Sequence, residues 1–176
     1  MARLEFLSDP VEFLVRARDR LAADPVTSTV VSSVTARLAA EQADGLPRDP
    51  TVPRWWLLVT DDAGDEAEEV LAVGMRTASA PPYALFLLPM PEQAAVALAR
   101  TLHARGEVAT GINGARAAAT ACAEELARVT GGRVEVAQHT RLFELAALVP
   151  PRPVPGRLRV ATESDLELAL AWFGAF

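Results

Sequence analysis

Apolar residues along this chain come in short blocks, and the blocks switch between two periods. A repeat of two marks strands and a repeat of three to four marks helices. Arg3–Leu7 (RLEFL) alternates and predicts a short strand. Asp9-Pro10-Val11-Glu12 then supplies an N-cap acid, a proline at the first helical position and an acid two residues on, the signature of a helix start. The helix it opens places Val11, Leu14, Val15, Leu21 and Ala22 on one face. Asp24-Pro25 repeats the start signal, and Val26, Val30, Val31, Val34 and Leu38 make a second helical stripe. Serines and β-branched residues lower its intrinsic helix propensity.

A polar loop with Gly45, Pro47, Pro50 and Pro53 leads into Trp55–Thr60 (WWLLVT), a strand whose two tryptophans point to opposite faces. Asp61-Asp62-Ala63-Gly64 turns the chain, and the acidic run to Glu69 predicts a solvated hairpin tip. Val70–Ala78 is the returning strand, and Ala84–Leu88 is a third after Pro81-Pro82. Pro91 opens a helix closed by Gly106, with His103 and Arg105 near its negative end. Glu107–Ile112 predicts a short strand, Asn113 a cap, Ala115–Thr130 a helix ended by Gly131-Gly132, and Arg133–Leu145 a long closing strand. Ala118, Cys122, Leu126 and Val129 fall at helical spacing and are expected to pack that helix on the sheet.

Residues 150–156 (PPRPVPG) predict a linker, so the organisation is a domain over 1–149, the linker, and residues 157–176 as the first strand and helix of a second domain. Arg157–Ala161 reads as that strand and Thr162 as the cap of the helix after it. Leu166, Leu170, Trp172 and Phe173 need a core, so this segment is expected to dock on a sheet of the same chain or a second copy. The fold class is α/β with a mixed sheet, an α+β arrangement in three layers, helix on sheet on helix. Hairpins join the middle strands and helices the later ones.

Composition narrows the functional classes. The 176 residues fit roughly one domain of ~100–200 residues plus a short addition. No apolar run approaches the ~18–20 residues of a membrane span, and the acids in MARLEFLSDPVEF argue against a signal peptide. The single cysteine, Cys122, allows no intrachain disulfide and suits a reducing cytoplasm. All 17 basic residues are arginine, and with 23 acids the net charge is −6, which disfavours nucleic acid and anionic membranes as partners.

The element order, strand, two helices, three antiparallel strands, helix, strand, helix, closing strand, resembles the GNAT-type N-acetyltransferases. The junction from Gln138-x-x-Arg141-Leu142-Phe143-x-Leu145 through the prolines to Arg157, and the opening Arg157-Leu-Arg-Val-Ala-Thr-x-x-Asp165, are similar to two-part actinobacterial members of that family. The resemblance implies a GNAT-like acyl-CoA N-acyltransferase fold. It also implies a degenerate N-terminal half partnered by a C-terminal GNAT domain that carries acetyl-CoA. In the family a Gln/Arg-x-x-Gly-x-Gly/Ala turn cradles the pyrophosphate with backbone N–H groups. The matching place here, Leu87-Leu88-Pro89-Met90-Pro91-Glu92-Gln93, has no glycine or arginine, two prolines that cannot donate, and an acid in the first helical turn.

No residue is therefore assigned a catalytic, cofactor-binding or metal-binding role. Gly111-Ile112-Asn113-Gly114 could form an anion nest helped by Arg116. The stronger reading is a turn with both glycines at positive φ and Asn113 as a cap. His103 and His139 lie on unlike elements and make no ligand-spaced cluster with Cys122, which is expected to be a small buried apolar residue. The acids Asp61, Asp62, Asp65, Glu66, Glu68 and Glu69 lack the spacing of a calcium loop.

Two functions remain. In the first, the chain is the structural or acceptor-pocket-forming N-terminal portion of an acetyl-CoA-dependent N-acetyltransferase, inactive alone and without a cofactor of its own. In the second, it is a noncatalytic interaction or small-molecule-binding module of the same fold, and either is compatible with self-association.

Overall fold

Strand β2, Trp55–Thr60, is buried along its whole length, and the rest of the molecule is arranged around it. The computed structural model describes residues 3–61, 69–152 and 155–175. The chain forms two compact units, Met1–Leu142 and Phe143–Phe176. The first contains β1 (Arg3–Leu7), α1 (Pro10–Arg16), α2 (Arg18–Ala23), α3 (Pro25–Ala43) and β2. It continues with β3 (Val70–Arg76), β4 (Leu85–Leu87), α4 (Glu92–Ala104), β5 (Ile112–Gly114) and α5 (Arg116–Thr130). The five strands form one mixed sheet in the order β1-β2-β3-β4-β5. All neighbours are antiparallel except β4 and β5, which run parallel. The fold class is α/β with helices on both faces of the sheet.

Because successive strand residues point to opposite faces, β2 feeds two separate cores. Trp55, Leu57 and Val59 join Ala72, Leu85 and Leu87 under α4 and α5, where Leu98, Leu102, Ala118, Cys122 and Leu126 are buried. Trp56 and Leu58 join Val73 and Met75 under α1 to α3, with Phe13, Leu21, Val31 and Leu38. Of the four α5 residues expected to face the sheet, Ala118, Cys122 and Leu126 are buried and Val129 is half-buried. Their short side chains let α5 lie close to its neighbours.

The N-terminal helices differ from the expected stripes. The first is two helices meeting at Ala17, and its inward face is Phe13, Ala17 and Leu21, at spacing four. Val11 and Val15 are exposed. Phe13 outcompetes them because its ring lies 6.2 Å from that of Trp56, and fully burying such a side chain contributes about 1.5–3 kcal/mol. Helix α3 buries Ser28, Val31, Thr35 and Leu38, and Val30 is exposed. Thr35 is inside for a reason that no hydrophobic count contains: its hydroxyl oxygen accepts the Trp56 indole N–H at 2.8 Å. Both helix starts behave as expected, with Asp9 accepting from the Val11 N–H and Asp24 from the Thr27 N–H.

The closing strand is a correction. Arg133–Leu145 contains neither helix nor strand and is exposed throughout. Alternation says which residues would share a face, but a strand exists only where another backbone accepts its hydrogen bonds. The Glu107–Ile112 strand likewise shifts and shortens to β5 at 112–114. The acidic tip after Asp61 lies mostly outside the described residues.

The second unit contains a short 3-10 turn, Glu163–Asp165, running into α6, Leu166–Ala175. Thr162 and Asp165 form a reciprocal capping box, and Arg159 donates to both Asp165 oxygens at 2.7 Å. Residues 157–161 do not form a strand. Leu166, Leu168, Leu170, Trp172 and Phe173 are exposed.

Two expected outcomes test this packing. Thr35→Val keeps the shape but strands the Trp56 N–H, so it should cost about 1–3 kcal/mol in urea unfolding, with Thr35→Ser close to wild type. Helices α4 and α5 are tied by Glu125, which accepts from Arg128 and Arg100. Those hydrogen bonds, Arg128 first, hold its carboxyl down at about 2 from an ordinary 4.5. A depressed folded-state value stabilises above the unfolded value, so this contribution is complete above pH 4.5 and fades as pH falls toward 2. Glu125→Gln should flatten that part of the stability profile, measured by thermal unfolding between pH 6 and 2.

Candidate functional site

Two turns at one end of the sheet bear on the expected phosphate cradle: the first borders a groove lined by Pro91, Glu92, Gln93 and Arg100, and the second is packed tightly at Gly114. The Leu87–Gln93 turn joins β4 to α4. Leu88 is buried, and its N–H is bonded to the Val73 carbonyl at 3.2 Å. Pro91 is the N-cap, without a side-chain hydrogen bond, and Glu92 lies in the first turn of α4. The next turn, Gly111–Gly114, does not make the nest geometry. Gly114 has a φ of 121°, whereas Gly111 is not in the positive region. Asn113 bonds the Gly114 N–H at 2.8 Å rather than capping α5, whose N-cap is Ala115.

Gly114 is at a close approach. A Cβ there would lie 2.0 Å from the Leu87 carbonyl oxygen. That carbonyl accepts the Ala115 N–H at 2.8 Å, so β4 and β5 remain bonded to their last residues. No opening is left between them.

The opposite end of the sheet carries a built site. Helix α4 ends as LHARGEV: Gly106 takes the left-handed conformation at φ 68°, its N–H bonds the His103 carbonyl, and the Glu107 N–H bonds the Leu102 carbonyl. This pair of bonds is a Schellman closure, and it delivers Glu107 to the row where Trp55, Arg76, Leu85 and Ile112 lie side by side. Glu107 Oε2 accepts the Trp55 indole N–H at 2.9 Å and an Arg76 N–H at 3.1 Å, while Arg105 pairs with Oε1 at 2.8 Å. The remaining Arg76 donors reach the Tyr83 carbonyl at 3.1 Å and the Val108 carbonyl at 2.7 Å. Arg76 is only 3% exposed. Phe6 meets Trp55 edge-on at 5.0 Å, and the Arg105 guanidinium lies 4.2 Å over the Phe6 ring.

This network pins the β3–β4 loop, the α4–β5 connection and the start of β2 to one another. Above it is a groove of about 550 Å³ walled by Pro53, Pro81, Pro82, Tyr83, Val108 and Thr110. Its walls are largely apolar. Both oxygens of Glu107 are engaged by three donors, and Arg76 is directed at two carbonyls and a carboxylate. Nothing in the sequence reading assigned a role to Arg76 or Glu107. The available signal was an arginine ending the apolar strand VLAVGMR, a charge that must be paired if buried.

The remaining candidates do not converge. His103 is exposed in the last turn of α4, and His139 is exposed in the segment after α5. Cys122 is buried, and that burial pushes its thiol up to about 12, far from a nucleophile. Of the tryptophan pair, one was expected inside and the other facing a groove or a partner; Trp56 and Trp55 are each buried in a core, and Trp55 also lines the groove. Of the acids, Asp62 to Glu68 lie outside the described residues. Among the described residues, no three or more His, Cys, Asp or Glu side chains are placed to hold a metal ion, and no helix is long and apolar enough to cross a membrane.

Glu107→Gln should keep the shape of the site while leaving Arg76 buried against a neutral amide. The expected loss is about 2–3 kcal/mol in denaturant unfolding, below the 3–5 kcal/mol of a fully buried broken pair because Glu107 retains some exposure. Trp55 fluorescence should shift with it. No protein-family model, curated protein or solved structure matches the chain.

Proposed function

We propose that this chain is the N-terminal portion of a GNAT-type N-acetyltransferase, a noncatalytic GNAT-like domain that supports the acceptor side of a catalytic C-terminal domain. In this reading the full-length cytoplasmic protein transfers an acetyl group from acetyl-CoA to an amine, and this segment holds no cofactor. The observation that carries the reading is the topology: an ordered five-stranded sheet, antiparallel except for β4 and β5, with α4 crossing between that parallel pair. The blocked end of the sheet supports the noncatalytic part. Leu-Pro-Met-Pro-Glu stands where phosphates would need donors, and Gly114 lies against the Leu87 carbonyl where a thioester arm would need a gap.

A second reading is a stand-alone small-molecule-binding module of the same fold, and the apolar groove above Arg76 and Glu107 favours it. The gene beyond the codon for Phe176 separates the two. A further strand-helix turn of the form Gln/Arg-x-x-Gly-x-Gly/Ala supports the first reading, and a stop codon or an unrelated domain overturns it.

Both readings share an expected outcome. Titration of this chain with acetyl-CoA by calorimetry should give no saturable binding with a dissociation constant below about 100 µM, equivalent to about −5.5 kcal/mol. Saturable heat in that range would refute the noncatalytic assignment.

A further inference from the structure

Residues 134–142 (VEVAQHTRL) carry the pattern of a strand and none of its bonds. They lie within the first compact unit and are exposed throughout. Among the described residues, no hydrogen bond or ion pair joins them to the rest of the chain. A stretch with β-branched residues at alternate positions resists helix and favours pairing with another strand. In an extended chain Val134, Val136, Gln138, Thr140 and Leu142 share one face, and Glu135, Ala137, His139 and Arg141 share the other.

The segment is complementary to itself when a second copy runs antiparallel with Gln138 opposite Gln138. Val134 then meets Leu142 and Val136 meets Thr140 on one face, while Glu135 meets Arg141 on the other. Each pair occurs twice about a two-fold axis, as a self-complementary contact requires. Neighbouring registers lose the match. A shift of one residue mixes apolar and polar side chains on both faces. A shift of two sets Arg133 opposite Arg141 in one direction and Arg141 opposite Ala137 in the other. A parallel, in-register pair would place Glu135 beside Glu135 and Arg141 beside Arg141, and like charges directly opposite are destabilising.

We propose that residues 134–142 form the contact of a weak two-fold dimer, a two-stranded antiparallel ribbon with Gln138 at the axis. The partner is a second copy of this chain, because the charge pattern of the segment is answered by the segment itself. The ribbon also gathers Val134, Val136 and Leu142 of both copies on one face. Two strands alone are marginal in water, so the dimer is a weak one. The inference does not rest on either reading of the function.

Sedimentation equilibrium of the full chain tests it, at low salt, where exposed charge pairs are least screened. A monomer–dimer equilibrium is expected, with a dissociation constant on the order of 100 µM. Glu135→Arg and Arg141→Glu change exposed side chains, and each sets like charges opposite at both pairs. Each should weaken association about tenfold. An equimolar mixture of the two variants faces opposite charges at both pairs and should associate within about threefold of wild type. The register is read separately: Gln138→Cys should cross-link copies in a glutathione redox buffer, and Thr140→Cys, facing Val136, should do so far more slowly. Cys122 is buried in both. A chain still monomeric at about 1 mM, a mixture no tighter than its components, or equal cross-linking at the two positions would overturn the proposal. So would association unchanged by both charge reversals, which would place the contact on the exposed face of α6 instead.

Discussion

Two adjacent tryptophans at the start of β2 send their indoles into opposite cores, and each indole N–H, largely removed from solvent, needs an acceptor within the fold. Trp56 finds Thr35 on α3, and Trp55 finds Glu107 after α4. These two bonds set the register of each helical layer against the same strand. Slide α3 by one residue and the Trp56 N–H is stranded. Shorten α4 past Gly106 and Glu107 no longer reaches Trp55. The two cores share few side chains, yet they are coupled through a single strand that cannot shift for one without disturbing the other.

Burying Glu107 beside Trp55 has further consequences. A carboxylate at the edge of an apolar core requires a cation, and Arg76 at the end of β3 provides it. A guanidinium has more donors than one carboxylate oxygen can accept, so Arg76 also takes the carbonyls of Tyr83 and Val108. Two loops are thereby ordered, and their prolines and Tyr83 become the walls of a groove. The groove is a by-product of satisfying one indole. At Arg54, which is half-buried, the Nε atom is enclosed without a hydrogen-bond partner.

At the other end of the sheet, glycine permits an approach that excludes ligands. Gly114 brings β5 against the Leu87 carbonyl, and the parallel pair stays closed to its final hydrogen bond. Leu88 and the two prolines after it fill the adjoining turn with apolar surface and remove backbone donors. Glu92 adds a negative charge to the first turn of α4.

The sequence by itself determined the local features: the Asp-Pro helix starts, the three central strands, the alanine face of α5 with Cys122 inside, and a β4–α4 turn without glycine. Each depends on spacing of a few residues and on backbone chemistry carried within the segment. The tertiary structure decided what depends on a distant partner. Phe13 rather than Val11 and Val15 turned inward because Trp56 was there to meet it. Thr35 took a core position because an indole needed an oxygen. Arg133–Leu145 alternates like a strand but is not one, because strand hydrogen bonds belong to pairs and periodicity describes only one member. The Arg76–Glu107 pair was illegible for the same reason: charges 31 residues apart become neighbours only when the sheet and helices bring them together.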